Sequence, residues 1–297
     1  MVTRIALKML LASALTLVFS SLSSAQTYAV RLERPCKKGE RHRISGSASW
    51  SEGKTATANG KVITETERFS AEFVAEVSVI EFGSDRNLTK ETITINNCRV
   101  RKDGTTRQLF PKGTVVVAAV ENDRKVFRVN GQPVDEQAEE VLDMMSDVGS
   151  GLGGQSDDDL FGTSEQHKVG DSWTLSAAAA VKSLREEDKI RVSEDDTHGV
   201  MTIEKKATCG NEDCLIISGR LDADLITVDS DEIKVDSGEA HLRFSGAFPI
   251  DTSHPVVDRS FEMQMRISGR ARRDPKGPEI QVDVIKETKM TAHYTPL

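Results

Sequence analysis

Apolar and polar residues alternate along most of the chain. Every second residue from Phe69 to Val79 is Phe, Ala or Val, and every second residue from Phe261 to Gly269 is Phe, Met, Ile or Gly. Similar runs cover Ile44–Trp50, Leu215–Leu225, Ala240–Phe248 and Ile280–Tyr294. Because successive side chains of a strand point to opposite faces, this pattern predicts antiparallel strands with one buried and one wet face. Several runs exceed ten residues, which is long for a strand and predicts a large, curved sheet.

The alternation gives way to helical spacing in the middle of the chain. From Asp135 the apolar residues recur at helical intervals, at Ala138, Val141, Leu142, Met145 and Val148. An aspartate at the start suits a helix N-terminus, and Gly149 is a natural stop. A Gly- and Asp-rich loop follows at 149–159, and a weaker helical pattern covers 177–187. The 135–148 segment is therefore predicted to be an amphipathic helix.

These patterns predict a mainly β fold, built as a large curved antiparallel sheet with one inserted amphipathic helix on or near its concave face. The sheet is either a half-barrel or a two-layer structure, because periodicity does not distinguish them. Residues 26–134 and 188–297 form the two β halves, 135–187 form the insert, and 26–297 are expected to be one continuous domain. Turn signals separate the strands, at 102–104, 122–123, 130–131, 196–199 and 274–277.

Residues 1–25 have the organisation of a secretory signal peptide. Arg4 and Lys8 precede the apolar segment 9–19, and Ser23-Ser24-Ala25 predicts cleavage before Gln26. The apolar segment is well short of the ~20 residues that span a bilayer, which disfavours an uncleaved anchor. No later segment is long and apolar enough to span a membrane. We therefore expect an exported protein, periplasmic or extracellular, without a transmembrane segment after cleavage.

The four cysteines are expected to form disulfide bonds, because export leads to an oxidising compartment. Cys209 and Cys214 bracket a polar turn, so a bridge across that hairpin is the natural pairing. Cys36 and Cys98 then pair by default, although four cysteines allow three connectivities. The spacings are not those of a zinc site or of a redox-active CxxC motif.

Charge and motif spacing disfavour several ligands. The chain has 39 Lys and Arg against 47 Asp and Glu, a net charge of −8, which repels nucleic acid. The GxGxxG letters at 149–154 follow a helix and run into aspartates, so they predict a flexible loop, not a dinucleotide site. The acidic segments 157–159 and 222–239 lack the calcium-loop spacing and are expected to be solvated loops. We predict no metal and no cofactor.

One motif offers a weak enzymatic alternative. Gly170-Asp171-Ser172-Trp173 resembles the GDS block of esterase-like hydrolases, with Ser172 as nucleophile. Asp251 and His254 would then supply the orienting acid and the base. That nucleophile belongs after a buried parallel strand of an α/β fold, whereas this chain alternates as antiparallel β. We therefore predict a Gly-Asp turn leading into a strand anchored by Trp173, and no catalytic residues.

Several short motifs together resemble a group of exported bacterial proteins of unknown function. The resemblance covers most of the chain after the signal, and the residues that carry it are 32–35 with 38–39, 129–134, 159–162, 169–173, 244–249 and 294–297. No activity comes with that group. A curved antiparallel sheet with an intervening helix is also remotely similar to periplasmic lipoprotein carriers of the LolA type, at the level of fold alone.

Two functions follow from this sequence. The first is an exported envelope protein without enzymatic activity, in a structural or protein-interaction role with an unidentified envelope partner. The alternative is a periplasmic carrier or binder of a lipid, acyl chain or lipoprotein in an apolar concave face. That alternative rests on large or adaptable apolar residues of the inner face, whose candidates are Phe69, Phe73, Met263, Met265 and Met290.

Overall fold

The computed structural model describes residues 26–34, 36–83, 87–122, 124–149, 156–188, 190–228, 233–271 and 279–297. The predicted signal peptide, the glycine-rich segment 150–155 and the turn predicted at 274–277 lie outside these residues.

Long strands make up most of the described chain, with a few short ones between them. The strands are β1 (Tyr28–Ala29), β2 (Arg41–Ala58), β3 (Lys61–Phe82), β4 (Leu88–Lys102), β5 (Thr105–Gln108), β6 (Val115–Glu121), β7 (Arg124–Val129), β8 (Gln132–Pro133), β9 (Gln166–His167), β10 (Ser172–Thr174), β11 (Ile190–Arg191), β12 (Thr197–Cys209), β13 (Glu212–Asp224), β14 (Thr227–Val228), β15 (Ile233–Pro249), β16 (Asp258–Ala271) and β17 (Ile280–Pro296). The helices are α1 (Glu136–Met145), α2 (Asp157–Phe161) and α3 (Ala177–Asp188).

Within the described residues, thirteen strands form one antiparallel sheet, which confirms the predicted fold class. Its order is β10-β12-β13-β15-β16-β17-β2-β3-β4-β6-β7-β8, with β5 attached to β4. The C-terminal strand β17 pairs with β2 along sixteen residue pairs, from Gln281↔Thr57 to Pro296↔His42. The two β halves, whose relation periodicity left open, are therefore joined edge to edge in a single sheet.

Tight turns set the register of the longest strands. β2 and β3 meet at Asn59 and Gly60, whose φ angles are 50° and 76°. Two consecutive residues with positive φ fit the turn that matches the right-handed twist of a hairpin. Asp103 and Gly104 repeat this arrangement between β4 and β5, with φ of 47° and 86°. The turn predicted at 196–199 is displaced, because β12 begins at Thr197. Gly199 lies inside this strand, where a Cβ would collide with Leu175.

The structure contains more helix than the sequence pattern predicted. α1 matches the predicted amphipathic helix, and the Asp135 side chain accepts a hydrogen bond from the Ala138 amide at 2.8 Å. α3 matches the weaker helical pattern. The segment 157–159, predicted to be a solvated loop, instead opens α2. Ser156 and Asp159 form a reciprocal capping box there, which satisfies two otherwise free backbone amides.

The two faces of the sheet differ in chemistry. One face, here called the apolar face, carries Phe69, Phe73 and Ile44 and packs against all three helices. The opposite face, here called the polar face, carries mainly hydroxyl and charged side chains on the central strands. In those strands its members include Ser45, Ser47, Ser49, Ser51, Ser70, Ser245, Ser260 and Thr291.

Separate segments cover separate parts of the apolar face. α1 covers β3, β4, β6 and β7, where Val141 and Leu142 are fully buried. The N-terminal segment covers β12 and β13 through Tyr28, Val30 and Leu32. Asp158 holds this segment in place, because its Oδ1 accepts a hydrogen bond of 2.6 Å from the Leu32 amide.

Candidate binding face

The apolar face is not covered uniformly. On the central strands β15, β16 and β17 a group of large apolar side chains is only partly buried. We call this group the apolar strip; its members are Leu242, Phe244, Phe261, Met263, Met265 and Met290. Strand register places them side by side, because Phe244 lies opposite Phe261, Phe261 opposite Met290 and Leu242 opposite Met263. The strip runs about 13 Å along β16, from Phe261 to Met265, at ~3.3 Å per residue.

The edges of the apolar strip pack against covered regions, but its centre does not. Phe244 stacks on Phe161 of α2 with ring centroids 5.9 Å apart, and Met265 packs beside Leu184 of α3. Phe261, Met263 and Met290, by contrast, belong to none of the apolar clusters formed by the described residues. The centre of the strip is therefore a partly exposed apolar floor between two covered regions.

The five predicted ligand-binding residues divide into two groups. Met263, Met265 and Met290 lie together in the apolar strip. Phe69 and Phe73 lie on the same face but are 3% and 1% exposed, because α1 packs over them. These two phenylalanines are core residues and do not belong to the apolar strip.

Charged residues bound the apolar strip at both ends. At one end Arg259 precedes Phe261 by two residues on the same face, and its guanidinium lies 3.6 Å from the carboxylate of Asp147. Arg259 also stacks over the Tyr294 ring, 5.7 Å from its centroid. At the other end Lys286 lies opposite both Met265 and Glu52. The uncovered apolar surface is therefore finite, with ionic groups at its margins.

Trp50 marks the side of the strip next to α1. It is partly buried, stacks on Phe69 with centroids 6.0 Å apart, and lies opposite Thr288, which in turn lies opposite Met263. Burial raises the pKa of the nearby Glu140 carboxyl on α1. Because the Glu140 carboxylate also accepts a hydrogen bond from the Trp50 indole, the α1 wall of the strip is polar at its rim and apolar at its base.

A buried carboxyl lies beneath the C-terminal end of α1. Glu91 on β4 is 1% exposed and contacts the Ser146 hydroxyl, while its Oε1 atom has no hydrogen-bond partner. Burial raises its pKa to about 8, which the hydrogen bond from Ser146 only partly offsets. Glu91 is therefore neutral at pH 7, and sequence periodicity gave no sign of it because a glutamate on the apolar face breaks the pattern.

The three residues of the weak hydrolase alternative, Ser172, Asp251 and His254, do not come together in the structure. The Ser172 hydroxyl bonds to the Thr202 hydroxyl at 2.8 Å, whereas His254 Nδ1 lies 2.8 Å from Glu212. Thr202 lies opposite Ser218, six residues along β13 from Glu212, which separates Ser172 from His254 by about 20 Å. Asp251 is near His254, at 4.0 Å, but no serine nucleophile of this set is within reach.

The Gly-Asp turn and the strand predicted in place of that triad are present. Gly170 has a φ of 89°, and Trp173 follows in β10, 9% exposed, with its indole nitrogen donating to the Phe161 carbonyl at 2.9 Å.

All four cysteines are free thiols in the structure. Cys36 precedes Gly39, whose amide bonds to the Val79 carbonyl, whereas Cys98 lies opposite Phe73. Val79 and Phe73 are about 20 Å apart on β3. A Cys36–Cys98 bridge needs Cα atoms within about 7 Å, and this pairing stays a prediction.

The hairpin cysteines, in contrast, are neighbours. Cys209 ends β12 and Cys214 lies in β13, opposite Ala207. Burial, together with the hydrogen bond that the Cys214 thiol donates to Cys209, raises the pKa of Cys214 to about 12. The Cys209–Cys214 bridge stays a prediction.

No group of three or more His, Cys, Asp or Glu side chains among the described residues is arranged to hold a metal ion. In the same part of the chain, no helix has the length and apolarity needed to cross a membrane.

Comparison with known proteins gives no family. No family model matches the sequence, and no curated protein matches it. Among solved structures, the chain is similar to lipovitellin, with 13% identity and a TM-score of 0.36 over 85% of this chain and 25% of that one. It therefore spans about a quarter of the lipovitellin chain.

Two other solved structures show weaker likeness. One is an outer membrane channel from Pseudomonas putida F1, with 8% identity, a TM-score of 0.20 and coverage of 89% and 98%. The other is a DUF1329 family protein from Desulfovibrio piger, with 9% identity, a TM-score of 0.10 and coverage of 83% of each chain. Scores this low identify no function for this chain.

Proposed function

We propose that this protein is a non-catalytic, exported binder of an acyl chain or similar apolar chain, which lies on the apolar strip. The observation that carries the proposal is the partly exposed centre of the strip: Phe261, Met263 and Met290 are contiguous, large and apolar, and they belong to none of the apolar clusters of the described residues. Contiguous exposed apolar surface on a soluble protein commonly marks a binding site.

The composition of the strip suits a chain-like ligand. Methionine side chains are flexible and polarisable, so they adapt to irregular apolar partners. Phe244 and Phe261 supply fixed aromatic surface beside them, and Thr288 supplies a hydroxyl group within the floor. A mostly apolar site with a few polar groups is the usual composition of a small-molecule site.

Binding of a fluorescent fatty acid tests this function. Met263→Glu places a charge in the centre of the strip, whereas Gln264→Glu places the same charge on the adjacent residue, which points to the polar face. We expect the wild-type protein and Gln264→Glu to bind the probe equally well, and Met263→Glu to bind at least tenfold more weakly, because the carboxylate must be desolvated beneath the chain.

Absence of saturable binding to the wild-type protein would contradict the proposal and leave the structural or protein-interaction role ahead. Equal binding by Met263→Glu would place the ligand elsewhere. Far-UV circular dichroism of both variants checks that the fold is retained, since both residues are at least partly exposed.

A further inference from the structure

A groove of about 780 Å³ opens on the polar face, on the other side of the sheet from the apolar strip. It is formed by the central strands β17, β2, β3 and β4. Its lining includes three cationic and four hydroxyl side chains, which are Arg68, Arg101, Lys289, Ser49, Ser51, Thr66 and Ser70.

Strand register explains why these side chains converge. Four of them form one row across four neighbouring strands, in the order Lys289, Ser49, Ser70 and Arg101. Arg68 lies in the next row, opposite Ser51. Arg101 lies opposite Ser70, and Arg68 precedes Ser70 by two residues on β3. Arg68 and Arg101 are therefore diagonal neighbours on one face, about 7–8 Å apart.

The cations of this groove are unequally engaged. Lys289 pairs with Glu262, its Nζ atom 2.7 Å from the carboxylate. Among the residues that the structure describes, the guanidinium groups of Arg68 and Arg101 have no hydrogen-bond or ion-pair partner, and both side chains are exposed. Two guanidinium groups are therefore available to a ligand.

The acidic residues of the groove are held by other groups. Asp103 Oδ1 accepts a hydrogen bond from the Arg68 amide at 3.2 Å, which closes the β4–β5 turn against β3. Glu287 Oε1 accepts a hydrogen bond from Gln264 at 3.2 Å. These contacts leave the two arginines as the electrostatic centre of the groove.

We propose that the groove binds a phosphorylated sugar, with its phosphate between Arg68 and Arg101. The planar guanidinium matches phosphate oxygens in a bidentate manner. Serine hydroxyls both donate and accept hydrogen bonds, so Ser49, Ser51 and Ser70 suit the hydroxyl groups of a sugar. The net charge of −8 does not prevent this, because charges beyond about 8 Å are screened at physiological ionic strength. The proposal is independent of the apolar strip.

Isothermal titration with glucose 6-phosphate tests the site, with glucose as the unphosphorylated probe. We expect saturable binding of the phosphate ester and at least tenfold weaker binding of glucose. Arg68→Gln with Arg101→Gln should weaken glucose 6-phosphate binding by about tenfold to a hundredfold, since hydrogen bonds to charged groups are lost.

Arg107→Gln is the matched control. Arg107 belongs to the same β4–β5 hairpin but lies on the apolar face and bonds to Gln137. We expect it to leave the affinity unchanged. The proposal is overturned if glucose binds as well as glucose 6-phosphate, or if Arg107→Gln weakens binding as much as the double variant.

Vesicles distinguish the two sources of this chemistry. Phosphatidylcholine vesicles with and without phosphatidylinositol 4-phosphate are the probes. Arginine-dependent binding to the phosphorylated vesicles would identify a phosphorylated polyol headgroup of a lipid as the ligand. Binding of glucose 6-phosphate without vesicle binding would identify a free sugar phosphate. Failure of both probes would overturn the proposal.

Discussion

Two regions of the same sheet face have the same sequence pattern and different surroundings. Phe69 and Phe73 on β3 are buried under α1, whereas Phe261 and Met263 on β16 are partly exposed. Both pairs come from runs of strictly alternating apolar residues. The alternation determines which face of the sheet a side chain occupies. Whether that part of the face is buried depends on whether a helix from elsewhere in the chain packs on it.

Truncation of one residue in each region gives the largest expected contrast. Phe73→Ala removes a fully packed ring, so we expect the free energy of unfolding to fall by about 4 kcal/mol. Met263→Ala removes a partly exposed side chain and should cost less than about 1 kcal/mol. Urea denaturation of both variants measures the difference. Equal losses would mean that the apolar strip is packed as tightly as the region under α1.

Glu91 gives the covered region a pH dependence that the strip lacks. The folded protein keeps this proton up to about pH 8, whereas the unfolded chain releases it near 4.5. In that window the folded state binds more protons, so stability falls as pH rises, by roughly 3 kcal/mol from about pH 5 to about pH 7.5.

The variant Glu91→Gln isolates this contribution, because glutamine has the same shape and does not titrate. We expect the variant to lose this part of the decline in stability over the same pH range, measured by thermal and urea unfolding. An unchanged pH dependence in the variant would show that another group causes it.

The hairpin of β12 and β13 lies outside both regions, and we expect it to give the smallest of these three effects on the free energy of unfolding. An oxidised Cys209–Cys214 bridge closes a short loop and should stabilise the protein by ~2 kcal/mol, on a loop-entropy estimate. Urea unfolding with and without reductant measures this, and Cys209→Ser is the control that should not respond to reductant. Identical unfolding of the wild-type protein in both conditions would contradict the bridge.

The sequence predicted the parts of this fold that depend on local pattern. Strand faces followed from alternation, and α1 followed from helical spacing with Asp135 at its start. The pairing of β17 with β2 joins residues more than two hundred positions apart, and no local pattern records such a contact. The same reason leaves the pairing of Cys36 and Cys98 open, since it depends on which segments are neighbours.

The candidate site shows the same division. Met263, Met265 and Met290 were correctly placed on one face, because period-two alternation determines the face. Phe69 and Phe73 were placed on that face too, but their burial depends on where α1 packs. Phe244 lies in the alternating run 240–248, whereas Arg259 precedes the run that begins at Phe261. The pattern does not show which strands are neighbours, so it does not predict that the residues of the strip lie together.

Fluorescence quenching by a brominated fatty acid tests the central claim most directly. The chain has two tryptophans: Trp50 borders the apolar strip, and Trp173 lies under α2 on a different part of the sheet. Trp173→Phe and Trp50→Phe variants report on each tryptophan alone. We predict strong, saturable quenching of Trp50 and little quenching of Trp173. Quenching of neither tryptophan, or of both equally, would contradict an acyl chain bound on the apolar strip.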